Sequence, residues 1–220
     1  MTTDLRAFSP VFIEKDSLIA FISTYDGGQD LFIFNLKTNE SKKVTNFENR
    51  PMISHLNYDS KEHALYFDLT QHHFRDIYKY KLYDENISKV YDNHLYDERN
   101  MALGKNMKVY TKDNSGIFNL YMIDEDSGNK GYITNVTGGA FMPDISKNGD
   151  IIYSLYEDGK YKIAIIDEII NVSRDYIGYG EDYFLINKGF EEPITALDYT
   201  KSVKYEDKFP NMFIMPKLML

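Results

Sequence analysis

The chain has 220 residues, of which 43% are hydrophobic and 27% are charged, a composition typical of globular proteins with a buried core. A formal net charge of −9 argues against a nucleic-acid-binding domain. The absence of Cys excludes disulfides, thiolate zinc sites and Cys nucleophiles. The sequence contains neither the apolar run of a transmembrane helix nor the basic start and apolar stretch of a signal peptide.

One strand-like pattern recurs four times along the chain. A polar residue is followed by alternating apolar residues, and the first apolar positions are Leu31, Ile77, Leu120 and Ile163. A second apolar run precedes each copy, with aromatic residues at Phe21, Phe67, Tyr110 and Tyr153. Both series have offsets of 46, 43 and 43 residues, so the chain contains an internal repeat.

Each repeat is predicted to be a small antiparallel sheet. Its runs are short and rich in β-branched and aromatic residues, and turn residues such as those at 26–28 and 113–116 separate them. A weaker innermost strand is expected at 51–54 and at 143–146. Four short strands in each unit of about 40–50 residues predict an all-β fold of the β-propeller type.

The repeat resembles the TolB-like propeller family, whose units combine a Leu-Thr pair, a Pro-x-aromatic-Ser-Pro-Asp-Gly turn and an Asp-Leu-Tyr strand. The best copy runs from Ile133 to Tyr153, and another joins 18–23 to 29–34. The sequence departs from the family at Ile53 and Ile145, which replace the aromatic residue. The resemblance implies a propeller but not one function, because such repeats occur in periplasmic TolB, in serine peptidases and in large envelope proteins.

The organisation predicted is four four-stranded blades over residues 8–175, followed by a C-terminal extension over 176–220. Propellers contain four to eight blades, and rings of only four are uncommon, so an incomplete ring is expected. The extension reads as extra strands or as the start of a further domain. The resemblance also implies association with the outer membrane, mediated by sequence beyond the C-terminus.

The motifs that could carry catalysis or bind a metal are weak. The pair His72-His73 lies in a predicted hairpin, and 124–129 only loosely matches a calcium loop because its twelfth position is Asn135. No Gly-x-Ser-x-Gly elbow, Walker loop or dinucleotide motif occurs. The sequence therefore predicts no enzyme, no cofactor and no metal site.

The function expected from the resemblance is a non-enzymatic module that binds another protein in a bacterial periplasm or cell envelope. The alternative is the propeller domain of a larger serine-peptidase-type enzyme, where it restricts substrate access. Loops between blades cluster at one mouth of a propeller channel, and here they carry arginines and large apolar side chains typical of binding surfaces. The predicted partner-binding residues are Asn49, Arg50, Tyr96, Glu98, Arg99, Phe141 and Met142.

Overall fold

The computed structural model describes residues 6–13, 17–25, 27–71, 74–91, 96–114 and 116–169. Within these ranges every regular element is a strand, so the all-β prediction is confirmed. The strands are β1 (Arg6–Ile13), β2 (Leu18–Tyr25), β3 (Gly28–Asn35), β4 (Glu40–Lys43), β5 (Met52–Asp59), β6 (Ala64–Gln71), β7 (Phe74–Lys81), β8 (Asn86–Lys89), β9 (Glu98–Gly104), β10 (Met107–Lys112), β11 (Asn119–Asp124), β12 (Lys130–Tyr132), β13 (Ala140–Ile145), β14 (Ile151–Glu157) and β15 (Lys160–Ile166).

The strands form four antiparallel meanders, which we call blades one to four. Blades one to three are four-stranded sheets in chain order, and the described part of blade four contains β13, β14 and β15. The C-terminal extension predicted at 176–220 lies outside the described residues, as does the pair His72-His73. No membrane-spanning helix is found in the described part of the chain.

Successive blades pack face to face. We call the face toward the next blade in the chain the front face, and the opposite one the back face. The front face of blade one, with Leu31, packs on the back face of blade two, with Phe67. In the same way Ile77 and Tyr110 share one cluster, and Leu120 and Ile151 share another. A blade cannot bury both faces by itself, so this stacking supplies the core of the propeller.

Every innermost strand contains a bulge with a residue at positive φ. The pairing register shifts in β1, β5, β9 and β13. The positive-φ residues at these shifts are Ser9, His55, Asn100 and Met142. The innermost strands expected at 51–54 and 143–146 overlap β5 and β13, but the two segments occupy different places in their strands, because Pro51 precedes β5 whereas Pro143 follows the bulge inside β13. The bulge adds a residue to the innermost strand relative to its partner, which interrupts the alternation of sides along that strand.

The polar residue of the repeat joins the third strand of a blade to the segment after the fourth. Asp30 Oδ1 accepts a hydrogen bond of 2.8 Å from Thr45 Oγ1, and Thr45 Oγ1 accepts one of 2.9 Å from the Leu31 N–H. Asn119 and Thr134 repeat this arrangement in blade three, at 2.9 Å. In blades one and three the recurring Asp or Asn is thus a structural residue that satisfies buried polar groups, whereas Asp76 of blade two forms an ion pair of 3.0 Å with Lys89.

Candidate partner-binding mouth

The meander places loops of two kinds at opposite rims of the propeller. The connections between blades and the hairpins between second and third strands lie at one rim, which we call the mouth rim. Contacts confirm this grouping, since the Ala140 N–H donates to Phe118 O at 2.8 Å and the Tyr156 N–H to Gly139 O at 2.8 Å. The hairpins between first and second strands lie at the opposite rim, where Lys61 and Glu125 form an ion pair of 3.4 Å.

The structure divides the predicted partner-binding residues into separate groups. Asn49 and Arg50 are exposed in the loop between blades one and two. A Cβ added at Gly27, in the neighbouring hairpin, would lie 3.3 Å from Arg50 Nη1. Arg99 and Phe141 come together between blades three and four, with the guanidinium carbon 5.8 Å from the ring centroid.

The other three predicted residues differ strongly in exposure. Met142 is 65% exposed at the mouth rim, whereas Tyr96 is half-buried. Glu98 is only 1% exposed and therefore does not belong to the surface that a partner could contact. The sequence analysis assumed that Glu98 is exposed to a partner. This assumption is wrong, because Glu98 is the first residue of β9 and its side chain lies between blades two and three.

Glu98 is a buried carboxyl group whose negative charge has few stabilising contacts. Neither of its carboxylate oxygens has a hydrogen-bond partner. The nearest cation is Lys112, whose Nζ lies 3.6 Å from Oε1, beyond ordinary hydrogen-bond length. Burial raises the pKa of Glu98 to about 7, although the charge of Lys112 opposes this shift. The group can therefore take up a proton near neutral pH.

Arg99 occupies an aromatic site at the mouth rim. Its guanidinium carbon lies 3.7 Å from the centroid of the Phe118 ring. Phe118 and Phe141 are in contact, with ring centroids 5.3 Å apart, and Phe141 also contacts Tyr161 at 6.3 Å. Arginine stacked on aromatic rings keeps its hydrogen-bond donors at the edge of the guanidinium plane, where a ligand can reach them.

A second arginine beside Arg99 is fully engaged. Arg75 Nη2 donates to Asp68 Oδ2 at 2.7 Å and to Ser54 Oγ at 3.0 Å. The backbone N–H of Asn100 donates to both oxygens of Asp68 at 3.0 Å. Burial raises the pKa of Asp68 to about 6, and the charge of Arg75 limits this rise. The network ties the second and third strands of blade two, through Asp68 and Arg75, to the bulge of blade three.

Sequence reasoning missed this network, although one signal for it exists. Asp68 lies in the middle of the apolar run 64–69, and a charged residue in a buried strand is almost always paired. The innermost strands also carry polar residues that the sequence analysis did not single out. His55 lies at the bulge of β5, and its buried Nε2 has no hydrogen-bond partner. Burial lowers the pKa of His55, so its imidazole is neutral at pH 7.

The opposite rim contains a cluster of three acidic residues, Asp59, Glu62 and Glu125. The ammonium group of Lys108 lies among them, 3.0 Å from Glu125 and 3.7 Å from Asp59, and it also bonds Glu62. Lys108 therefore already occupies the centre of the cluster, and Lys61 and Lys79 also pair with Glu125 and Glu62. The hairpin at 124–129 is an ordinary turn, because Asp124 Oδ1 accepts hydrogen bonds from the N–H groups of Asp126 and Ser127.

Comparison with solved structures supports the propeller fold. The chain is similar to TolB from Acinetobacter baumannii, with 17% identity and a TM-score of 0.62 over 77% of this chain and 43% of that chain. A putative TolB from Agrobacterium tumefaciens gives 16% identity and a TM-score of 0.58 over 80% and 65% of the two chains. The fold is a TolB-like β-propeller.

Enzymes with the same fold are also similar to the chain. A puromycin-hydrolyzing peptidase from Mycobacterium tuberculosis gives 11% identity and a TM-score of 0.58 over 73% of this chain and 27% of that chain. The chain thus spans between about a quarter and two thirds of these structures. No protein-family model and no curated protein sequence matches the chain. Similarity at this level of identity establishes the fold and leaves the function to the site.

Proposed function

We propose that this chain is a non-enzymatic, TolB-like propeller module that binds another protein through its mouth rim. The observation that supports the proposal best is the surface formed by Arg99, Phe141 and Met142. An arginine held against aromatic rings beside an exposed methionine has the composition of an interface hot spot. The similarity to TolB structures and the sequence resemblance support placement in the periplasm or cell envelope.

A photo-crosslinking experiment tests this proposal with matched positions. A photoreactive phenylalanine derivative replaces Met142, which is 65% exposed at the mouth rim, or Tyr83, which is 72% exposed at the opposite rim. We expect a discrete adduct from a bacterial envelope extract at position 142 and none at position 83. An excess of unlabelled chain should compete it away, since a specific site is saturable.

A triple variant identifies the residues responsible. Replacing Arg50, Arg99 and Phe141 with Ala should abolish the adduct while the circular dichroism spectrum stays unchanged. An adduct that survives these changes but disappears when the residues after Asp175 are deleted would assign the interaction to the C-terminal segment. That result would contradict the mouth-rim proposal.

The second candidate function is a propeller domain that restricts access to a peptidase active site. The similarity to the puromycin-hydrolyzing peptidase favours it, although the chain covers only 27% of that structure. The 220 residues contain no Gly-x-Ser-x-Gly elbow, so the catalytic serine would have to come from another segment or chain. Absence of peptidase activity from the purified chain, combined with a specific adduct at position 142, would favour the binding module.

A further inference from the structure

Arg99 differs from its neighbour Arg75 in having no direct ion-pair partner among the described residues. Its Nε–H is buried without a hydrogen-bond partner. No carboxylate of the described residues lies within ion-pairing distance of its guanidinium, whereas its neighbour Arg75 is paired with Asp68 at 2.7 Å. A partly buried guanidinium loses hydration, and without a partner this loss is not compensated.

The surrounding carboxylates are already committed to other groups. Asp68 accepts hydrogen bonds from Arg75 and Asn100. Asp97 Oδ1 accepts the backbone N–H of Arg75 at 3.2 Å, and Asp113 Oδ1 accepts the backbone N–H of Asp97 at 2.8 Å. These carboxylates therefore hold loops in place without a direct ion pair to Arg99, although their charges stabilise its protonated form from a greater distance.

The aromatic contacts fix the direction in which Arg99 can bind. Phe118 covers one side of the guanidinium at 3.7 Å, and Phe141 lies at 5.8 Å. Since the rings occupy space beside the plane, the donors at its edge are the groups that remain to be satisfied. A carboxylate accepts hydrogen bonds from two such donors in a bidentate pair. Because the aromatic contacts already order the arginine side chain, binding costs little further conformational entropy.

Apolar side chains continue from this point along blade four. Met142 is 65% exposed and Tyr161 is 70% exposed, and Tyr161 contacts Phe141. A ligand that places a carboxylate at Arg99 would therefore lay its neighbouring atoms on an apolar surface. A small inorganic anion would leave this surface uncovered, whereas a peptide with an apolar residue beside its carboxylate would cover it.

We propose that Arg99 anchors a carboxylate-binding site, and that its ligand is a carboxylate next to an apolar residue of a polypeptide. The inference rests on the proposed binding function and gives the chemistry of its partner. The carboxylate belongs either to an acidic side chain or to a chain terminus. Burial and the charge of Arg75 lower the pKa of Arg99, whereas the charges of Asp97, Asp113 and Asp68 raise it. A bound carboxylate adds a further charge that favours the protonated guanidinium.

Titration with three short peptides tests the proposal on the full chain. Acetyl-Gly-Phe has a terminal carboxylate, acetyl-Phe-Asp-amide has an acidic side chain, and acetyl-Gly-Phe-amide has neither. Binding is followed by NMR on the Nε–Hε signals of the arginines. We expect the Arg99 signal to move with at least one carboxylate peptide and not with the amide, and the better of the two peptides identifies the source of the carboxylate.

Variants separate a specific site from general charge. Arg99→Gln should weaken binding of the carboxylate peptide about tenfold, because a hydrogen-bonded ion pair is lost. The matched control Lys130→Gln removes one exposed positive charge at the opposite rim and should leave binding unchanged. Asp97→Asn keeps the acceptor for the Arg75 N–H but removes a competing negative charge, and it should strengthen binding.

Two outcomes would overturn the inference. The first is equal response of the Arg99 signal to all three peptides, which would make the site apolar. The second is tighter binding by Arg99→Gln, which would mean that the arginine repels the ligand. Either result leaves the crosslinking test of the mouth rim unaffected, so the inference and the proposed function fail independently. Because the wild-type Arg99 signal is itself a readout, the test stands even if the Gln variant does not fold.

Discussion

Equivalent positions in the four blades have opposite environments. Leu31, Ile77 and Leu120 are 0%, 1% and 0% exposed, whereas Ile163, at the same place in the repeat, is 80% exposed. Ile165 on the same strand is 66% exposed. The sequence pattern that forms the strand is the same in all four blades. Burial of its front face depends on whether another blade packs against it, so the repeat defines the blade and its neighbour defines the core.

The ion pairs of the blades differ in burial in the same way as the apolar residues. Between blades two and three, Asp68 is 1% exposed and pairs with Arg75. In blade four, Lys162 and Glu157 form a pair of 2.7 Å in which both side chains are about half exposed, at 46% and 51%. Water screens the second pair but not the first. These two ion pairs, and the buried and exposed front faces, allow the difference between covered and uncovered blades to be tested.

The largest effect is expected at the buried ion pair. Arg75→Met leaves the Asp68 carboxylate buried without its cation and should lower the free energy of unfolding by about 3–5 kcal/mol at pH 7. Denaturant titration measures the change, which should shrink as the pH falls below 6, because the pKa of Asp68 is about 6 in the folded wild type and higher in the variant, so that Asp68 is then protonated in both folded proteins. The matched control Lys162→Met, in the exposed pair, should leave the midpoint unchanged. Equal losses of unfolding free energy in the two variants would contradict the difference between the buried and the exposed ion pair.

Truncation of the front-face side chains is expected to have the next largest effect. Leu120→Ala removes packed atoms and should cost about 2–5 kcal/mol, because a cavity remains between blades three and four. Ile163→Ala should have no measurable effect on unfolding, since its side chain makes few contacts to lose. The measurement is repeated over a range of protein concentrations. A large loss at Ile163 that depends on concentration would show that self-association covers the front face of blade four.

A smaller effect is expected from Glu98, through pH. Its folded pKa of about 7 lies above the ordinary value of 4.5, so the folded state binds the proton more tightly than the unfolded state. Stability should therefore fall as pH rises from 4.5 through 7, by on the order of 2 kcal/mol or less. Glu98→Gln should flatten this slope and be more stable than wild type at pH 8. A wild-type stability that rises over the same range would contradict the buried, poorly compensated carboxyl group.

Much of the candidate mouth was accessible from sequence because it depends on repeat register. Turn residues in register place the inter-blade loops at one rim, and this placement selected Arg50, Arg99, Phe141 and Met142. The sequence did not indicate that Arg99 stacks on Phe118, since Arg99 lies in β9 whereas Phe118 lies in the connection just before β11. It also misplaced Glu98, because the alternation of sides along β9 depends on the bulge at Asn100.

The sequence by itself determined the strands, their order within each blade and the period of 43–46 residues, because these depend on local alternation of apolar and polar residues and on turn chemistry. Only the tertiary structure decided which faces are buried, where the bulges turn the innermost strands, and which charges are paired. These properties arise between blades, where residues more than 30 positions apart meet, as Asp68 and Asn100 do. The pattern of one strand does not specify what packs on it, and so the unpaired Arg99 and the exposed front face of blade four appear only once the blades are assembled.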